Sequence, residues 1–269
     1  MNDSILNNPK APRVKRVAAL ARKKERRESG RFMVEGPQAV RELLAYRPRL
    51  AEVVYVTTGD ESWQHELDRL ASDTGVQVER VTTDVLSAMA ETVNPQGVIA
   101  VARTWETPLV EVFANAKLVA ILHEVRDPGN AGTVLRAADA AGVDAVVFAG
   151  ASIDPFHPKV VRSTTGSLFH LPVAVALTLA DAVDAARAAG LTVLAADVRG
   201  AELLEARAEG VLTGPVAWVF GNEASGLSEE DRALTDRSLK LPIYGVAESL
   251  NLATAASVLL YETAFSQRG

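Results

Sequence analysis

Three short blocks hold the residue types that could build a binding site. They are Asn130-Ala131-Gly132-Thr133-Val134-Leu135-Arg136, Gly221-Asn222-Glu223-Ala224-Ser225-Gly226-Leu227 and Ser249-Leu250-Asn251-Leu252. Each stands just after a run of strand-like apolar residues. In open α/β sheets, ligands bind in the crevice outside the carboxyl ends of strands, so the three blocks are expected to be neighbours at a site for a small molecule. In the first, Asn130 reads as the N-cap of a helix over 132–141, and Gly132 admits close approach to its first turn. Arg136, about one and two-thirds turns on, could swing toward the same helix end, or could be a plain surface arginine. In the second, Glu223 lies between two glycines and could accept hydrogen bonds from a ligand, hold an arginine in a bidentate fork, or occupy an ordinary turn. In the third, Ser249 reads as the N-cap of a helix over 250–265. Asn251 then falls in the first turn, ahead of the small residues Ala253, Thr254, Ala255 and Ala256.

The elements that must position these blocks alternate. In the second half, apolar runs predict strands over 117–122, 144–148, 191–196 and 216–220, with helices over 132–141, 179–189 and 250–265. Near-continuous apolar strands imply a mostly parallel sheet covered on both faces. The first half predicts an α/β layer of its own, with strands over 32–36, 52–56, 76–81 and 98–102 and helices over 38–45, 61–72 and 84–90. The pattern breaks at Arg103-Thr104-Trp105-Glu106-Thr107-Pro108. The expected domains are therefore 1–106 and 107–269.

Composition narrows the chemistry. The chain of 269 residues has no cysteine, which excludes disulfides, thiolate catalysis and cysteine-based metal sites. His65, His123, His157 and His170 show no ligand spacing, so no metal is expected. No apolar run approaches the roughly 20 residues of a membrane span, and a cytoplasmic address is expected. The segment Gly129-Asn130-Ala131-Gly132 departs from G-x-G-x-x-G, and no Gly-Lys-Ser/Thr occurs, which disfavours a conventional nucleotide-dependent Rossmann enzyme. Charge is uneven. Residues 10–31 hold ten Lys and Arg against Glu25 and Glu28, a net of +8, leaving −14 on the rest of a chain whose formal net charge is −6. Val14, Val17, Ala18 and Ala21 recur at helical spacing, so this segment is expected to be one basic helix with an apolar stripe. Arg22, Lys23, Arg26 and Arg27 are then candidates for RNA phosphate contacts, or for a solvated face.

Together the blocks resemble the SpoU (TrmH) family of S-adenosylmethionine-dependent RNA ribose 2′-O-methyltransferases, within the SPOUT superfamily. The matching residues are Asn130-x-Gly132-x-x-x-Arg136, Gly221-x-Glu223-x-x-Gly226-Leu227, and Ser249-Leu250-Asn251 running on to Tyr261-Glu262. Between them, Ser163-Thr164-Thr165-Gly166-Ser167 through Leu171-Pro172-Val173 looks like the family's middle segment. The first half is similar to a ribosomal-protein-like RNA-binding domain, more loosely, through Phe32-x-Val34-Glu35-Gly36.

The resemblance implies a C-terminal SPOUT α/β domain with a deep trefoil knot, against the general rarity of knots. It implies S-adenosylmethionine as cofactor, held by Gly221, Leu241, Ile243 and Leu250. A homodimer through the C-terminal domain is implied, with the last helix and its small residues near Ala253 at the contact. Arg136 matches the residue acting at the 2′-hydroxyl, with Asn130, Glu223, Ser249 and Asn251 positioning it and the ribose. Ribosomal RNA is the expected substrate; the alternatives are tRNA or a non-catalytic RNA-binding or ribosome-assembly factor. The methylated nucleotide cannot be read from the sequence.

Overall fold

The structure, a computed structural model, describes residues 5–269. Contacts divide the chain into two compact units. The first is residues up to Trp105 together with Phe156–His170; the second is Glu106–Pro155 and Leu171–Gly269. The expected boundary has no counterpart for Phe156–His170, which belongs to the first unit.

In chain order the elements up to Trp105 are α1 (Pro12–Ala19), α2 (Lys23–Ser29), β1 (Arg31–Glu35), α3 (Pro37–Tyr46), β2 (Ala51–Thr57), α4 (Ser62–Thr74), β3 (Gln77–Val81), α5 (Thr83–Met89) and β4 (Val98–Arg103). Next come α6 (Leu109–Phe113), β5 (Leu118–His123), α7 (Pro128–Ala141) and β6 (Ala145–Ala149). Helix α8 (Pro158–Ser163) lies in the segment assigned to the first unit. The chain then continues through β7 (Val173–Ala176), α9 (Leu179–Ala188), β8 (Thr192–Glu202), α10 (Leu203–Ala208), β9 (Val216–Phe220), α11 (Glu229–Ala233), β10 (Arg237–Lys240) and α12 (Leu252–Arg268).

The first unit has a four-stranded sheet of order β1-β4-β2-β3, antiparallel except for β2 and β3. Phe32 points into an aromatic cluster with Trp105, Phe156 and Phe169. Glu35 is buried but satisfied: it accepts from Arg162 Nη1 at 3.0 Å, from the Glu91 amide at 3.1 Å and from Thr92 Oγ1 at 2.7 Å. A buried charge with three donors is tolerated where a bare one would not be.

The basic segment is two helices, not one. No apolar residue follows Ala21 before Phe32, so a straight helix would have nothing to bury beyond its second turn. The chain instead turns at Leu20–Arg22 once Val14, Val17 and Leu20 are packed.

In the second unit all six strands are parallel, in the order β10-β8-β9-β5-β6-β7. Strand β5 is buried along its whole length, as a central strand covered on both faces must be. Helix α12 packs along α7. Ala253 and Ala256 are buried within this unit, where small side chains let the two helices approach. The outward face of α12 carries Val258, Tyr261 and Phe265 instead.

Candidate active site and basic surface

All three blocks lie in the second unit, and two of them follow the carboxyl ends of adjacent strands β5 and β9. At the start of α7 the N-cap is Asp127, not Asn130. Its carboxylate accepts from the Asn130 amide at 2.7 Å, and Pro128 takes the first helical position, where no N–H is needed. Asn130 is thereby freed from capping. Its Nδ2 donates to Glu223 Oε1 at 3.4 Å, and its Oδ1 accepts from Asn251 Nδ2 at 3.0 Å. Asn251, not Ser249, caps α12: its Oδ1 accepts from the amides of Ala253 (2.9 Å) and Thr254 (3.3 Å). The cap sits two residues later than expected, and the helix starts at Leu252.

Glu223 holds no arginine. Its two oxygens accept from the backbone amides of Arg126 (3.2 Å) and Asp127 (2.9 Å), so it clamps the loop after β5 to the loop after β9. The neighbouring Asn222, which sequence reasoning passed over, does the reverse: its Nδ2 donates to the Glu124 carbonyl at 2.8 Å. Its signal was its place directly after Gly221, where a backbone turn needs a short polar side chain. Loop, loop and helix start are thus one connected hydrogen-bond chain through Glu223, Asn130 and Asn251.

Beside this chain lies a cavity of about 360 Å³. Its wall includes Gly221, Leu241, Ile243 and Leu250, together with Ser249 and Glu223. The structure therefore gathers the four expected cofactor residues around one space. The need for glycine at 221 has a different origin from ligand access, however. A Cβ there would stand 2.6 Å from the Gly226 carbonyl carbon and 2.8 Å from Leu227 Cγ, because the loop closes on itself through Asn222 and Gly226.

Strand β8 brings Asp197 and Arg199 to the same wall. Arg199 Nε donates to Asp197 Oδ1 at 3.0 Å and Nη2 to Oδ2 at 2.8 Å. These side-chain hydrogen bonds hold the buried Asp197 carboxyl below the ordinary aspartate range, against the opposing cost of burial. Sequence reasoning ended this strand at Ala196 and so missed both residues.

Arg136 stands apart. It is exposed on α7, makes no hydrogen bond or ion pair among the described residues, and is not part of the cavity wall. Six residues from Asn130 is 240° around a helix, so the two side chains do not share a face. Neither Asn130 nor Glu223, Asn251 or Ser249 positions it here. Among the described residues there is no group of three or more His, Asp or Glu that could hold a metal. Nor is any helix long and apolar enough to cross a membrane.

In the first unit, Arg22, Lys23 and Arg27 are exposed. Arg26 is not: it is 2% exposed, and its Nη1 donates to the carbonyls of Leu20 and Ala21, both at 2.9 Å. Carbonyls after the last turn of α1 lack helical partners, and a buried guanidinium satisfies them. Arg26 is therefore removed from the candidate RNA contacts.

Two family models match the chain. Residues 117–261 match the SpoU rRNA Methylase family, and residues 11–100 match the MRM3-like substrate binding domain. The chain is 37% identical to the 23S rRNA (guanosine(2553)-2′-O)-methyltransferase RlmP of Bacillus subtilis, over 95% of this chain and 97% of that protein. It is 31% identical to the 23S rRNA (uridine(2479)-2′-O)-methyltransferase of Streptomyces viridochromogenes, over 91% of this chain and 86% of that one. Among solved structures, the AdoMet-bound rRNA methyltransferase from Sinorhizobium meliloti superposes with a TM-score of 0.83 at 31% identity, covering 97% of both chains.

Proposed function

The chain belongs to the SpoU rRNA methylase family, and from that premise we propose that it methylates a ribose 2′-hydroxyl of ribosomal RNA with S-adenosylmethionine as donor. One observation carries the reading. Residues from three distant blocks, Asn130, Glu223 and Asn251, join in a single hydrogen-bond chain beside a cavity lined by Gly221, Leu241, Ile243 and Leu250. The cavity fits the cofactor: about 360 Å³ lies within the ordinary range for small-molecule sites, which are roughly 300–1,000 Å³. Its apolar leucine and isoleucine side chains suit an adenine, and its charged residues suit an amino acid.

When bound, S-adenosylmethionine supplies an electrophilic methyl group on a sulfonium. The protein's part is alignment and electrostatics. Glu223, Asn130 and Asn251 fix two loops and the start of α12 relative to one another, and Ser249 adds a hydroxyl to the cavity wall. Arg136 has no hydrogen-bond or ion-pair partner among the described residues, which suits its planar fork to a phosphate next to the reacting ribose and to the negative charge developing on the 2′-oxygen. A guanidinium is a donor with no acceptor site, so Arg136 does not take the hydroxyl proton itself.

The N-terminal domain, residues 1–106, binds the RNA, with Arg22, Lys23 and Arg27 contacting phosphates. The C-terminal unit carries the trefoil knot of its family. Two copies pair through the outward stripe of α12, where Val258, Tyr261 and Phe265 recur at i, i+3 and i+7 and stand 41, 37 and 59% exposed. The two relatives named above are designated for different nucleotides, a guanosine and a uridine, so the base is left to experiment. A ribosomal substrate implies action in the cytoplasm. The test is a map of ribose methylations in total RNA from cells with and without the gene. One ribosomal position should lose its methyl group and regain it when purified protein and donor are added; an unchanged map overturns the assignment.

A further inference from the structure

We propose that Arg199, held in place by Asp197, clamps the carboxylate of the amino-acid end of S-adenosylmethionine. The inference rests on the cofactor reading above and names the part of the cavity wall that recognises the charged end.

Strand β8 pairs with β9 only as far as Ala196 opposite Phe220. From Asp197 onward it has lost that neighbour, at the point where β9 gives way to Gly221 and the cavity opens. This is the crevice at strand carboxyl ends where α/β sheets bind ligands. Four charged residues line the cavity, and three are already engaged. Lys240 pairs with Glu202 at 2.8 Å. Glu223 accepts two backbone amides, and Asp197 accepts both arms of Arg199. Arg199 spends its Nε on Asp197 and its Nη2 on Asp197 and the Leu227 carbonyl, at 2.9 Å. Its Nη1 makes no hydrogen bond among the described residues, and its side chain is 52% exposed.

A guanidinium with one edge fixed and one nitrogen free is a preorganised carboxylate donor. Arg232 Nε, 3.7 Å from Asp197 Oδ2, places a second guanidinium by the same carboxylate. Arg232 is itself balanced by Glu229, its Nη2 lying 3.9 Å from Oε1, so the attraction for a carboxylate at this end of the wall comes from the open Nη1 of Arg199. Asp197 is 3% exposed and fully engaged by Arg199, so a carboxylate arriving at this end meets a donor already fixed in place. Asp197 acts as the positioning residue and Arg199 as the contact.

The experiment compares two ligands that share the nucleoside thioether and differ in the amino-acid part. S-adenosylhomocysteine has it; methylthioadenosine does not. Calorimetric titration of the full chain should show Arg199→Ala binding S-adenosylhomocysteine roughly 10-fold or more weakly, the scale expected for a charge-assisted hydrogen bond. Methylthioadenosine should change by less than about twofold, since none of its atoms reaches that donor. Asp197→Asn should show the same selectivity with a smaller loss. Should the Ala variant melt early, Arg199→Lys keeps a charge there and should still weaken S-adenosylhomocysteine more than methylthioadenosine. Equal weakening of both ligands, or no change in either, overturns the clamp. Failure of the unaltered protein to bind either ligand would instead overturn the cofactor reading.

Discussion

The basic segment of the first unit and the loop cluster of the second both present charged and polar side chains, but they hold them in opposite ways. In the loop cluster, Glu223, Asn130 and Asn251 spend their hydrogen-bonding groups on one another and on backbone amides. In the basic segment, Arg22, Lys23 and Arg27 stand in water, among exposed pairings such as Arg22 with Glu25 at 3.0 Å and Lys24 with Glu28 at 3.8 Å. A small molecule must be met by groups already in place, because each group ordered on binding costs affinity. A phosphate backbone needs only mobile cations, whose gain comes from released counterions. Two arginines interrupt this pattern: Arg136, exposed on α7, makes no hydrogen bond or ion pair among the described residues, and Arg26 is buried within the basic segment.

The largest expected effect tests the free arginine. Arg136→Ala should lower methyl transfer by about 10²–10³-fold, the scale for removing one donor that acts on developing charge. Affinity for S-adenosylmethionine should stay within about twofold, since Arg136 is not part of the cavity wall and the missing interaction is a single charge-assisted one elsewhere. Arg136→Lys should also be poor, because a point charge cannot reproduce the planar fork. Single-turnover methylation alongside calorimetry separates the two quantities. Near-normal turnover of the Ala variant would return Arg136 to the solvated class.

Next come the two residues whose roles are structural. Gly221→Val must displace the Gly226 backbone and should cost about 1–3 kcal/mol by overpacking. Its thermal stability and its cofactor affinity should fall together, since the loop and the cavity wall are the same residues. Arg26→Ala leaves two carbonyls unsatisfied and should cost about 1–3 kcal/mol, with RNA affinity of the folded fraction unchanged. Reversal of Arg22, Lys23 and Arg27 to Glu should do the opposite: an unchanged melting temperature, weaker RNA binding, and a salt slope reduced by roughly 0.7–0.9 for each phosphate that is no longer neutralised. Denaturation curves and filter-binding at several salt concentrations check the pair. Should the triple reversal leave the slope unaltered, the segment is a solvated face.

The same distinction decides what could be read in the sequence. The parallel strands of the second unit were legible because buried strands are continuous apolar runs; 216–220 is recovered to the residue. Strands β7 and β10 were not, since four residues carry too little periodicity to register. The extension of β8 through Asp197 and Arg199 was hidden because polar residues end an apolar run even where the backbone continues, here past a register shift at Ser238/Leu239. That the blocks converge was legible from their positions at strand ends. Their internal wiring was not. Asp127 and Asn130 are both good caps three residues apart, and Ser249 and Asn251 are two apart; only the backbone turn decides which one serves. The return of Phe156–His170 to the first unit is a long-range association with no local signal.

The smallest effect is one of pH, and it concerns the ordered charge pair. Hydrogen bonds from Arg199 hold the folded-state pKa of Asp197 below its unfolded value. A group of that kind stabilises the folded chain above the unfolded pKa, about 3.9, and the contribution is lost as pH falls through the lower folded value. Acidification from about pH 5 to pH 3 and below should therefore destabilise the unaltered protein more steeply than Asp197→Asn, which has no proton to take up there. Salt should reduce this difference less than it would for a surface pair, because the aspartate side chain is 3% exposed although its arginine is 52% exposed. The three surface cations act on RNA binding instead, where salt is the variable that counts. Melting curves of both proteins across pH at two ionic strengths read the two dependences together. Parallel acid curves for the two proteins would mean that the Asp197–Arg199 pair is as loosely held as the basic segment, and the contrast between the regions would fail at the residue where it is drawn most sharply.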